Sequence, residues 1–264
     1  MSEYQQMMET IEILSQDGKG ILAADESTAT IGKRFDSIQI ENNEENRRDY
    51  REMLFTTPNL EHYINGVILY EETLMQKAKN GTPFVEILKD KGILSGIKVD
   101  KGLIPLAGTL NEKISIGLDD LDSRLKHYKS FGASFAKWRN VFSINEYSPS
   151  PKAIRCGAEV LARYAAVCQE AGIIPIVEPE ILIDGNHNIN QAAAVCTQVL
   201  HEVFEALYQH HIHLEMMILK TSMVTSGIEH QPFSTPEEVA EYSLMVYMNT
   251  VPAAVPSINF LSGG

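Results

Sequence analysis

The amino-acid sequence predicts an α/β fold, a TIM (β/α)8-type barrel that ends after its seventh strand. Three observations lead there. Short apolar runs alternate with longer amphipathic stretches along all 264 residues. The runs are almost continuously apolar, as parallel strands covered on both faces are. Most of them end in charged or small polar residues, which a barrel gathers at one mouth and an open sheet would spread along an edge. Repeated βα units of this kind mean a parallel sheet with right-handed crossovers.

The elements follow in order. The opening MSEYQQMMETIEIL has a helical pattern and neither the basic nor the apolar region of a signal peptide. The strand-length runs are GILAAD (20–25), GVILY (66–70), GIKVD (96–100), SFAKWR (134–139), IIPIVEPE (173–180), LEMMILK (214–220) and INFLSGG (258–264). Between them, residues 46–55, 72–78, 118–131, 151–171, 189–211 and 236–248 carry apolar side chains at helical spacing. Ser150-Pro151 starts one helix as cap and first-turn proline. Thr235-Pro236-Glu237-Glu238 starts another with a capping box, and Gly172 stops the helix before it. A single domain over residues 1–264 is expected, one βα unit short of a closed barrel.

Composition narrows the function. Hydrophobic residues make up 44% and charged residues 22%, enough for a sizeable core. A net charge of −13 argues against nucleic acid or an anionic membrane as partner. No apolar run approaches the roughly 20 residues of a membrane span. Cys156, Cys168 and Cys196 are odd in number and form no CxxC, which suits a reducing, cytoplasmic compartment. His210-His211-Ile212-His213 lacks the spacing of a zinc motif, and no glycine-rich nucleotide fingerprint is present. No metal and no cofactor are expected.

The chemistry gathers on lysines and acids at strand ends. Lys98, Lys137 and Lys220 each sit in or after an apolar run. Burial and neighbouring cations lower a lysine's pKa and free its lone pair for attack on a carbonyl. Alternate residues of a strand share a face, so Glu178 pairs with Glu180, Lys98 with Asp100, and Lys137 with Arg139. Two carboxylates sharing a site push one toward its neutral, proton-donating form. The plainer alternative is that Glu178 and Glu180 only neutralise Lys137 and Lys220. Ser262-Gly263-Gly264 offers backbone N–H groups to an anion. Asp25-Glu26-Ser27 through Thr30, followed by Lys33-Arg34, joins hydroxyls to a basic pair.

These segments, with EENRRDYREMLF (44–55), GIKVDKGLIPLAGT (96–109) and LARYAAVCQEAGIIPIVEPEIL (161–182), resemble class I fructose-bisphosphate aldolase from end to end. The resemblance implies reversible cleavage of fructose 1,6-bisphosphate, a phosphorylated ketose, by a metal-independent Schiff base, in a cytoplasmic homotetramer. It makes Lys220 the imine-forming lysine and Glu178 the acid/base, with Glu180 tuning the lysines. Lys137 becomes the supporting cation and Asp25 the carboxylate at the C4 hydroxyl. Lys98, Arg139, Ser27, Thr30, Ser262 and Gly263 become substrate and phosphate contacts. Where the family commonly reads Lys-Pro-Asn-Met, this chain has Lys220-Thr221-Ser222-Met223. The family also continues into an eighth strand and a C-terminal tail, so the resemblance leaves a second possibility, a truncated, non-catalytic isoform acting as a binding subunit.

Overall fold

The computed structural model describes residues 3–261. The chain opens with α1 (Glu3–Leu14), β1 (Gly20–Ala24), α2 (Thr28–Ser37), α3 (Glu44–Phe55), β2 (Ile64–Leu69), α4 (Glu71–Met75), α5 (Phe84–Asp90) and β3 (Leu94–Lys98). Then come the short β4 (Leu103–Pro105) and β5 (Lys113–Ser115), α6 (Leu121–Ser130), β6 (Ala133–Phe142), α7 (Pro151–Glu170) and β7 (Ile174–Ile181). The last elements are α8 (Ile189–Gln209), β8 (Ile218–Thr221), α9 (Pro236–Thr250) and β9 (Ile258–Phe260). Seven of the strands form one sheet in the order β1-β2-β3-β6-β7-β8-β9, as the alternation of runs implied; β4 and β5 pair separately.

The elements fall into two compact units, with β6 contributing its first half to one and its second half to the other. In the first unit, parallel ladders join β1 to β2, β2 to β3 and β3 to β6. Phe135 of β6 is fully buried there, and glycines make its room. A Cβ on Gly96 would stand 2.1 Å from the Phe135 ring, and one on Gly66 would stand 3.1 Å from it and 2.7 Å from Leu14. The register pairs Gly96 with Phe135 and, at the strand ends, Lys98 with Lys137. Phe135 and Lys137 lie two residues apart on one strand face. The ring is therefore an apolar floor beneath the two lysines. Helix α1 packs Met7, Ile11 and Leu14 inward, and its last carbonyls, those of Ile13 and Leu14, accept from the Asn65 side chain of β2.

In the second unit, β7 pairs with β8 and β8 with β9, all parallel. Here the other face of β6 is anchored. Trp138 is fully buried, and its indole N–H donates to Ser115 Oγ at 2.7 Å. The Ser115 hydroxyl and amide both donate to Asn140 Oδ1 at 3.0 Å. The Trp138 ring lies 5.5 Å from that of Tyr164, on the buried stripe of α7.

The structure corrects several boundaries. Residues 28–37 form a helix that the sequence reading did not assign, and Phe84–Asp90 is a further helix. The β4–β5 hairpin escaped notice because its strands are three residues long and β4 is exposed. Residues 214–216 turn as a single 3₁₀ turn before β8 instead of belonging to it. β6 runs longer than its apolar run at 134–139, and β7 lies one residue further along than the run at 173–180.

Because the floor is tight, Gly96→Ala forces the Phe135 ring to move. The expected destabilisation is about 1–3 kcal/mol, read as a shift in urea midpoint. Combining it with Phe135→Leu should give a total smaller than the sum of the two single effects.

Candidate active site

Beyond β1 the chain continues into Asp25, which is 8% exposed. Its Oδ2 lies 2.8 Å from Nζ of Lys137, itself 4% exposed. Two buried opposite charges at this distance hold each other ionised, since neither form is stable there alone. The Val99 amide donates to the Lys137 carbonyl at 3.0 Å, extending the ladder past the Lys98–Lys137 register pair. Lys98 and Lys137 thus stand side by side on one face, a pair of cations at the end of the first unit's strands.

A second charged cluster follows at the next residue. Arg51 stands 2.7 Å from Glu26 as an ion pair, Arg34 donates to Glu26 at 2.5 Å, and Arg51 also donates to the Glu26 carbonyl. Arg51 on α3 is 3% exposed, with its guanidinium 5.1 Å from the centre of the Tyr50 ring. Sequence reading missed Arg51, because one arginine in the charged helix NRRDYREMLF gives no sign of facing inward. It also grouped Arg34 with Lys33 as a free basic pair, whereas Arg34 is committed to Glu26.

Ser27 and Thr30 are helix-start residues. Ser27 caps α2 by accepting from the Thr30 amide at 3.3 Å, and the two hydroxyls lie 3.0 Å apart. Ser27 is half-buried and Thr30 exposed at the positive end of the helix dipole, an arrangement suited to phosphate.

In the second unit, Lys220 Nζ donates to Glu178 Oε1 at 2.8 Å. The Glu178 side chain is 2% exposed and that of Lys220 15%, so the amine reaches solvent while its partner does not. Glu180 accepts instead from Arg139 of β6. Glu178 thus meets Lys220 and Glu180 meets Arg139. A cavity of about 710 Å³ opens in this unit, lined by Arg139, Val141, Phe142, Leu103, Tyr147 and Leu182 among others; of the candidate residues only Arg139 reaches it. Ser262 and Gly263 lie outside the described residues. The His210–His213 segment is engaged with acids: His210 meets Glu159 at 3.2 Å and His213 meets Glu215 at 3.5 Å.

Lys220 thus presents an amine hydrogen-bonded to a buried carboxyl on a parallel α/β scaffold, an arrangement with which a lysine can attack a carbonyl. A model of the family "Fructose-bisphosphate aldolase class-I" matches residues 6–264. The chain is 52% identical over 260 residues to a probable fructose-bisphosphate aldolase class 1 of Xanthomonas campestris, covering 98% of this chain and 78% of that protein. It is 56% identical over 247 residues to cytosolic fructose-bisphosphate aldolase 6 of Arabidopsis thaliana, covering 94% and 69%. Among solved structures it resembles the aldolase of Plasmodium falciparum, crystallised with TRAP and a small-molecule inhibitor. The TM-score is 0.97 at 47% identity, covering 99% of this chain and 76% of that one. The chain belongs to the class I fructose-bisphosphate aldolases and has their α/β barrel-like fold. It is a lyase that cleaves fructose 1,6-bisphosphate reversibly to dihydroxyacetone phosphate and glyceraldehyde 3-phosphate through a lysine Schiff base.

Two predictions follow from the buried charges. Arg51→Met should cost about 2 kcal/mol in urea unfolding, below the full cost of an orphaned buried charge because Arg34 stays on Glu26. An unchanged midpoint would show that the Arg51–Glu26 pair is idle. His187, on the loop after β7, is 5% exposed, and its pKa is held below the ordinary value, first by burial and then by nearby His230. The unfolded chain then binds this proton more readily than the folded one. Stability should be full above about pH 6.5 and fall as pH drops through that unfolded-state value. His187→Gln should flatten this part of the stability profile.

Proposed function

We propose that Lys220 is the nucleophile, Glu178 its acid and base, and Asp25 the base that triggers carbon–carbon cleavage. The observation that carries this reading is the 2.8 Å contact between the Lys220 amine and the buried Glu178 carboxyl. The neutral amine adds to the C2 carbonyl of the ketose. Glu178 gives a proton to the departing hydroxyl, and water leaves, forming an iminium. Asp25 then takes the C4 hydroxyl proton, the C3–C4 bond breaks, and its electron pair flows into the iminium to give an enamine. The aldehyde departs. Glu178, reprotonated through solvent as Asp25 gives up the proton it took, protonates the nucleophilic carbon, and water then hydrolyses the resulting iminium to release the ketose phosphate and the free amine.

The other residues serve binding and charge. Lys137 keeps Asp25 ionised until the C4 proton arrives, which a protonated Asp25 could not accept. Lys98, Ser27 and Thr30 are assigned to phosphate, the first as a cation and the others as hydroxyls at the α2 N-terminus. Arg139, steadied by Glu180, positions the substrate from the cavity wall, and Ser262 with Gly263 is assigned to the ketose-side phosphate. A cytoplasmic location is supported by the cytosolic relatives of Arabidopsis thaliana and by three cysteines that form no disulfide. A homotetramer is the assembly proposed from family membership, and sedimentation equilibrium tests it.

The catalytic assignment is tested by borohydride reduction in the presence of dihydroxyacetone phosphate, followed by peptide mass spectrometry. The adduct is expected on Lys220 and absent from Lys220→Ala, whose cleavage activity collapses. An adduct on Lys137 instead would overturn the assignment. Asp25→Asn should still form the adduct with dihydroxyacetone phosphate while cleaving the bisphosphate about 10²-fold more slowly or worse.

A further inference from the structure

The ladders on the two sides of β8 differ. Toward β9 the register is unbroken through Leu219, Lys220 and Thr221, and the Leu261 amide continues it to the Thr221 carbonyl. Toward β7 the register pairs only Ile176 with Ile218 and Val177 with Leu219. It stops one residue short of Glu178 and Lys220. Two positions on, β7 carries Pro179, which has no N–H to give a ladder. The strand seam is therefore open where the amine and the carboxyl must be held side by side.

Side chains close it. Thr221 Oγ1 donates to the Pro179 carbonyl at 3.4 Å. Ser222 Oγ accepts from the Ile181 amide at 3.1 Å and donates to the Ile181 carbonyl at 2.9 Å. One serine hydroxyl thus satisfies both backbone groups of Ile181. From behind, the Tyr247 hydroxyl of α9 donates to the Ser222 carbonyl. Thr221, Ser222 and Tyr247 are all buried. Ser222 engages β7 three residues beyond Glu178, and on its own strand it follows Lys220 by two.

We infer that Thr221, Ser222 and Tyr247 form a hydroxyl clamp that replaces the missing β7–β8 ladder and sets the spacing of Lys220 and Glu178. They are positioning residues that do not touch substrate. The inference rests on the reading of Lys220 and Glu178 as the reacting pair. It also explains how this chain accommodates Thr-Ser after its active lysine: two hydroxyls do the bridging work at the seam. The clamp acts on the imine-forming steps.

The test is Ser222→Ala beside Ser222→Thr in the full chain, read by steady-state kinetics, melting temperature and the rate of Lys220 adduct formation under borohydride. With the clamp in force, Ser222→Ala lowers kcat about tenfold, since small misplacements of reacting groups carry penalties of that order. Its KM stays near the wild-type value, and the adduct forms correspondingly more slowly. Ser222→Thr keeps the hydroxyl and stays close to wild type. A Ser222→Ala enzyme that turns over and traps at the wild-type rate overturns the inference. So does an equal loss in both variants, which would mark a packing effect. Should Ser222→Ala not fold, Tyr247→Phe takes its place: a lowered kcat at constant KM bears the clamp out, and an unchanged kcat overturns it. A wild-type chain that cleaves substrate without any Lys220 adduct overturns the catalytic assignment and the inference built on it. A normal wild-type adduct with an unimpaired Ser222→Ala overturns the clamp alone.

Discussion

Burying an ammonium group is the constraint on which the site is built. Taking a lysine out of water costs several kcal/mol unless a carboxylate stands within hydrogen-bond distance. This chain puts lysines at the ends of apolar strands, where substrate carbonyls and phosphates can be met away from bulk water. Each deeply placed one is matched: Lys137 by Asp25 and Lys220 by Glu178. The pairing does more than offset desolvation. It decides which acid is ionised beside which cation, and so it separates the roles. Asp25 is matched to a buried lysine, whereas Glu178 is hydrogen-bonded to a lysine whose side chain is partly exposed.

Holding such pairs in place is the task of the strands, and β6 shows how a strand does it. One face carries Phe135, Lys137 and Arg139; the other carries Trp138 and Asn140. The second face is locked by the buried Trp138–Ser115–Asn140 network, in which Ser115 accepts from Trp138 and donates to Asn140. Locking one face fixes the twist and register of the other, because a one-residue slip would exchange them. Glycines at 66 and 96 then let the Phe135 ring fill the layer below the lysines, which keeps that layer dry and the charges above it strongly coupled.

Much of this was legible in the sequence. The seven parallel strands show as apolar runs, and their polar ends show as interruptions at Lys98, Lys137, Glu178 and Lys220. What stayed hidden has physical causes. The Asp25 partner of Lys137 is set by the fold, and spacing along the chain says nothing of it; nor does spacing show that Glu178 meets Lys220 and Glu180 meets Arg139. Arg51 sits in a helix whose other charges are solvated, so its burial leaves no compositional trace. The β4–β5 hairpin is too short for periodicity to register. The α2 helix stayed hidden because Ser27 and Thr30 stand out as hydroxyls after a strand end, and the same Ser27 hydroxyl caps a helix.

The seam between β7 and β8 draws these threads together. A parallel ladder is the cheapest way to fix two neighbouring strands, yet it spends every backbone group on the partner strand and holds side chains at fixed spacing. At the end of β7 this chain gives the ladder up: Pro179 removes a donor between two glutamates that serve different cations. Without compensation the strand ends would splay, and the backbone groups of Ile181 would be buried without partners, at a cost of about 1–3 kcal/mol for each lost bond. Hydroxyls from Thr221 and Ser222 meet that need with groups that carry no charge, so they brace the reacting lysine without altering its electrostatic partner. A charged brace at the same place would have competed with Glu178 for the amine. Neutral bracing around a charged pair lets the scaffold stay rigid while the pair alone exchanges protons with the substrate.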